Sequence, residues 1–175
     1  MLDGTSPAEL LKEEHSHVLQ KLDTMEGAIN NLDRRSDISG KLSDLMSFFA
    51  SDFWIHFDKE EKAFFPEFDN FMPRGIGPLA AMRDEHELIR NTNELLQEAV
   101  ARYLDGDDTI STRKTITDNG IHFVEFLRGH IAKEDGLFSR MSEMHLGPKQ
   151  NDRVVRLFAE IEKAGGSFSG GNAST

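Results

Sequence analysis

Four helical stripes run along this chain, and each places a histidine where an apolar residue should meet the core. The first is Leu11, His15, Val18, Leu22, Met25, Ile29 and Leu32. The second is Leu42, Leu45, Phe49, Phe53, His56, Glu60 and Phe64. The third runs Leu79, Met82, His86, Ile89, Asn93, Leu96, Val100, Tyr103, and the fourth Ile116, Gly120, Phe123, Leu127, His130, Glu134, Leu137, Met141. Steps of three and four residues mark helices with one buried face. Ser6-Pro7 opens the first helix as cap and first helical residue. Polar or Pro/Gly-rich segments at Asp33–Gly40, Glu67–Pro78, Asp105–Asp108 and Gly147-Pro148 separate the stripes. No strand-like alternation occurs. The expected fold is all-α, an up-down-up-down four-helix bundle over residues 1–147. A short additional C-terminal helix within 148–163, about Asn151 to Lys163, should pack on or beside it through Val154, Leu157, Phe158 and Ile161. Residues 164–175 have linker composition and are expected to be disordered.

Composition narrows the function. In 175 residues, 31 acidic side chains against 20 basic ones leave a net charge of −11. Such a surface repels phosphate backbones and anionic lipid, so neither nucleic acid nor membrane is an expected partner. The absence of cysteine removes disulfides, thiolate metal sites and thiol nucleophiles. No apolar run approaches the roughly 18 residues of a membrane helix, and the acidic N-terminus is unlike a signal peptide. The expected location is the cytoplasm. Thirteen Phe against one Trp and one Tyr predict a dry interior.

Two glutamates and four histidines pointing into that interior need compensation, because an unpaired buried carboxylate costs several kcal/mol or more. No Lys or Arg lies in the central part of the stripes, so a metal is the simplest answer. His56 and Glu60 are four residues apart and project within ~40° of each other on one helix face. His130 and Glu134 repeat the arrangement. The pattern is duplicated: Glu13-Glu14-His15 with His56-Phe-Asp-Lys-Glu60-Glu61, and Asp84-Glu85-His86 with His130-Ile-Ala-Lys-Glu134-Asp135. Two hairpins related by a pseudo-twofold axis would face the two HxxxE pairs. The glutamates could then bridge two metal ions, each capped by two histidines. Imidazole with carboxylate suits iron, manganese, zinc or copper.

This pattern resembles the hemerythrin-like (HHE) cation-binding family over roughly residues 8–145, and its bacterial di-iron branch in particular. The resemblance implies a non-haem di-iron centre, two iron ions with a bridging oxo or hydroxo group, for which manganese or zinc could substitute. It assigns the metal ligands to His15, His56, Glu60, His86, His130 and Glu134. Oxygen carriers of the family have HxxxH on the third helix; the second position here is Arg90, so one ligand is absent and autoxidation is expected. Asp135, five residues after His130, lies ~140° around the helix and is the weaker candidate for the bridge. Glu61 and Asp135 are expected near the surface or bonded to a ligand histidine. His122 is expected on the bundle flank, His17 in solvent and His145 beyond the bundle end. Gly129 could admit a neighbouring helix or a small ligand.

Ferritin-like chemistry is disfavoured, because E-x-x-H occurs only as Glu14-x-x-His17. Three functions remain open. One is binding or sensing of dioxygen or nitric oxide, in oxidative or nitrosative stress or iron homeostasis. Another is reduction of nitric oxide or peroxide with an electron-donor protein, and the third is donation of iron for iron–sulfur repair.

Overall fold

The structure is a computed structural model that describes residues 5–72 and 75–166. Helix α1 (Pro7–Ile29) starts from a capping box: the Glu9 amide donates to Ser6 Oγ and the Ser6 amide donates to the Glu9 carboxylate. Both orphan donors of the first turn are thereby satisfied. The second stripe is not one continuous helix. It forms α2 (Arg35–Ala50) and α3 (Asp52–Lys59), broken at Ser51, whose φ of −133° and ψ of −73° leave the helical region. Side-chain amides of the next long helix hold the break: Gln97 donates to the Met46 carbonyl and Asn93 to the Phe49 carbonyl, each at 2.9 Å. Beyond α3 the backbone widens into a π-helical turn, Glu60–Phe64, and tightens into a 3₁₀ turn, Phe65–Phe68.

Helix α4 (Pro78–Leu104) begins after Gly77, whose φ of 93° only glycine adopts without strain. Tyr103 near its end donates to the Leu32 carbonyl at 2.7 Å and pins the first interhelical turn. Helix α5 (Ile110–His145) is the longest, and α6 (Pro148–Gly165) lies against α3 and the π turn. The four bundle elements plus α6 agree with the expected architecture. Helix α6 starts three residues before Asn151 and ends two past Lys163; residues 167–175 of the expected tail lie outside the described residues. Among the described residues no strand occurs, and no helix is long and apolar enough to cross a membrane.

The core comes in two parts. One gathers Val18, Leu22, Phe49, Phe53, Phe57, Ile89, Leu96, Phe123 and Leu127; the other gathers Leu11, Phe64, Phe65, Phe68, Met82, Phe138, Val154 and Phe158. The boundary between them falls at His15 on α1 and His86 on α4, and at Glu60 after α3 and Glu134 on α5. The four histidines and two glutamates of the stripes therefore form one layer across the bundle, with apolar packing above and below.

Close helix approach occurs at Gly120, not at Gly129. A Cβ added at Gly120 would collide with the Ile29 side chain of α1 and touch Leu96 of α4, whereas Gly129 is exposed with nothing within 4 Å. Gly120→Val should therefore destabilise the protein by about 2 kcal/mol or more through overpacking. Gly129→Ala should stabilise it by up to about 1 kcal/mol through helix propensity. Denaturant midpoints check both, and a neutral Gly120→Val would contradict the packing described.

Candidate metal centre

All six residues singled out by the stripes meet in the layer, each at most 1% exposed. The four imidazoles aim Nε2 inward. His56 Nε2 stands 3.2 Å and His15 Nε2 3.7 Å from Glu60 Oε1, while His86 Nε2 is 3.3 Å from Glu60 Oε2. The other glutamate does the same in reverse. Its Oε2 is 3.3 Å from His15 Nε2, and its Oε1 is 3.0 Å from His130 Nε2 and 3.5 Å from His86 Nε2. Each carboxylate thus divides its two oxygens between a His15/His56 side and a His86/His130 side. Two groups could hold an ion: His15, His56, Glu60 and Glu134, and His86, His130 and Glu134.

The outward nitrogens are equally ordered. His15 Nδ1 lies 2.7 Å from Asp135, His56 Nδ1 2.7 Å from Glu14, His86 Nδ1 2.6 Å from Glu61, and His130 Nδ1 2.8 Å from Glu85. A carboxylate only accepts, so each Nδ1 carries a proton, and an imidazole that is neutral in this orientation turns its Nε2 lone pair toward the centre. The four outer acids obey the duplication: Glu14 and Glu85 precede the inward-facing histidines of α1 and α4, and Glu61 and Asp135 follow the inner glutamates. Glu14 and Glu85 bond the histidine of their own half, whereas Glu61 and Asp135 reach across to the other half. Two lysines complete the pattern, Lys59 on Glu14 and Lys133 on Glu85.

A group fitting this cradle must be cationic and accept several lone pairs at once. Nε2 of His15, His86 and His130 and both oxygens of Glu60 and Glu134 have no hydrogen-bond partner despite full burial. Atoms of that kind are costly to orphan unless a cation or protons meet them. Without metal, protons do so. Burial opposes charging of His86, but the neighbouring carboxylates of Glu134, Glu60 and Glu61 outweigh it and push it up to about 11. His15 is raised well above its ordinary value against the same burial cost, by Asp135, Glu134 and Glu60. Burial and the Glu60 charge oppose ionisation of Glu134, yet His130, His15 and His86 hold it down at about 2.

Several residues stand apart from the layer. Asp135 bonds His15 and does not share the inner position of Glu134. His17 and His122 are exposed, the latter stacked beside Phe126, and His145 stacks on Phe71 at 4.8 Å between ring centres. Arg90 turns outward, donating to Glu87 at 2.7 Å and to Glu61 at 3.2 Å over the rings of Trp54 and Phe57. Among the aromatic residues around the first core cluster, Trp54 and Phe126 are only half-buried. Sequence reasoning missed Glu14, Glu85 and the buried Lys59; the repeated Glu-His and Lys-Glu-acid phrases were the available signal.

The two sets of shifts predict a pH dependence for metal-free protein. Raised histidines stabilise fully below their ordinary value of 6.5 and lose that contribution as pH climbs toward about 11. The depressed carboxylate stabilises fully above 4.5 and loses it as pH falls toward about 2. Metal-free protein should therefore be most stable between pH 4.5 and 6.5 and melt about 5 °C or more lower at pH 9 than at pH 6. Metal displaces the same protons, so the gap between loaded and metal-free melting temperatures should widen with pH. Thermal melts of chelated and loaded samples measure this; a metal-free Tm that rises toward pH 9 would contradict it.

No curated protein and no solved structure matches the chain. A sequence model described as the hemerythrin HHE cation binding domain matches residues 6–141, which takes in every residue of the polar layer and all of the bundle but the last turn of α5. The duplicated His/Glu layer and that match together place the chain in the hemerythrin HHE cation-binding family.

Proposed function

We propose that the chain is a non-haem di-iron protein that binds or senses a small ligand such as dioxygen or nitric oxide, in oxidative or nitrosative stress or iron homeostasis in the cytoplasm. His15 and His56 would hold one ion, His86 and His130 the other, with Glu60 and Glu134 shared between them. The observation that carries the reading is the division of each buried carboxylate between the two histidine pairs. A donor set of imidazole and carboxylate without thiolate suits iron and also accepts manganese or zinc.

Bound iron would supply open coordination positions and electrons for a diatomic ligand. The chain supplies the surroundings. Phe57 lies flat on His86 with ring centres 3.8 Å apart and meets His130 edge-on, and Phe65 stacks on His86 at 5.9 Å. These rings cover the His86 side with apolar surface, which excludes water from it. Arg90 stands where oxygen-carrying relatives are expected to have a further histidine. Its guanidinium stays charged and has no lone pair to give. One ion then has fewer protein donors than in a carrier, which favours sensing or reaction over reversible transport.

Anaerobic loading with ferrous iron, followed by metal analysis and an optical titration with azide and nitric oxide, tests the proposal. Two irons per chain and near-ultraviolet bands that shift with the added ligand are expected. Glu134→Ala should retain at most one tightly held ion. A wild-type chain that holds one iron, or bands indifferent to both ligands, would overturn the reading. Sustained turnover of nitric oxide or peroxide with an electron-donor protein would instead make it an enzyme, and rapid transfer of iron to an apo iron–sulfur protein would make it an iron donor.

A further inference from the structure

Helix α6 lies beyond the residues matched by the family, yet it reaches the centre from one side. Val154 and Phe158 are buried with Leu11 and Phe64 in the second core cluster. From this seat Glu162 accepts from Lys59 Nζ at 2.5 Å, Lys59 also donates to Glu14, and Glu14 accepts from His56 Nδ1 at 2.7 Å. The Lys59 ammonium sits 5.7 Å from the Phe158 ring centre. The second half has the same row, Lys133 to Glu85 to His130, without α6 over it. The consequence is visible in exposure: Lys59 is 2% exposed and Lys133 51%.

We propose that α6 makes the two metal positions unequal by clamping the His15/His56 side through Glu162, Lys59 and Glu14. The inference rests on the two-metal reading but not on iron or on any small ligand. Charge pairs strengthen as water is excluded from them, so Lys59 holds Glu14 in one place more firmly than Lys133 holds Glu85. Glu14 in turn fixes the ring of His56, and outer partners of this kind typically govern metal affinity by about 10–100-fold. The ion at the His15/His56 position is therefore released more slowly than the ion at the His86/His130 position. Glu162 and Lys59 act as positioning residues.

The test uses the full chain loaded with zinc and mixed with excess chromogenic chelator. Wild-type protein releases two zinc ions in two phases of equal amplitude. His56→Gln abolishes the slow phase and assigns it. Glu162→Ala speeds the slow phase about tenfold and leaves the fast phase unchanged. Phe158→Ala, which loosens the seat of α6, acts in the same direction, with helical content checked by circular dichroism. Lys133→Met leaves the slow phase alone. Two zinc ions released in a single phase, or a slow phase indifferent to Glu162→Ala, would overturn the clamp while sparing the two-metal reading. Binding of fewer than two zinc ions would overturn both.

Discussion

Two carboxylates buried side by side govern this structure. Glu60 and Glu134 enter an interior otherwise walled by phenylalanine, and each would be prohibitively costly there as an isolated charge. Four imidazoles answer them, and four further acids answer the imidazoles from outside. Every element of the bundle is constrained by this layer. α1 and α4 each bring a histidine and the acid before it, while the α3/π-turn segment and α5 each bring a histidine, a glutamate and the acid after it. The two apolar clusters set the position of the layer, since helices cannot slide past each other without separating Nε2 atoms from the carboxylates.

The crosswise bonds give the duplication a structural purpose. Glu61 bonds His86 and Asp135 bonds His15, so each half orients a histidine of the other. A pair of hairpins joined only by apolar packing could shift by a fraction of an ångström; these bonds hold the two sides of the centre in register. The π turn at Glu60–Phe64 belongs to the same account. Widened helical turns recur at functional sites, and this one starts at an inner glutamate and carries the acid that crosses to the second half.

Much of this was legible in the residues. A histidine at one core-facing position in each of four stripes has no apolar explanation, and the i+4 glutamates share its face, so the six inner residues could be read from helical period alone. Glu14 and Glu85 could not, because they sit one residue off the stripe and look like ordinary solvent-facing acids. Lys59 escaped for another reason: its burial comes from α6, a contact more than a hundred residues away in the chain. The break at Ser51 has no glycine or proline to announce it, and the stripe continues through it in phase. The cause lies in Asn93 and Gln97 of another helix reaching over to the carbonyls of α2. Gly129 drew attention by lying next to His130, but proximity in sequence is not proximity in space; the glycine that α1 requires is Gly120.

The central claim is that the polar layer holds two metal ions between its histidine pairs. Anomalous diffraction from crystals of the iron-loaded protein, recorded on both sides of the iron edge, measures this most directly. Two peaks about 3–4 Å apart are predicted, one beside His15 and His56 and one beside His86 and His130, both in contact with Glu60 and Glu134. A single peak, or peaks away from these side chains, would contradict the account.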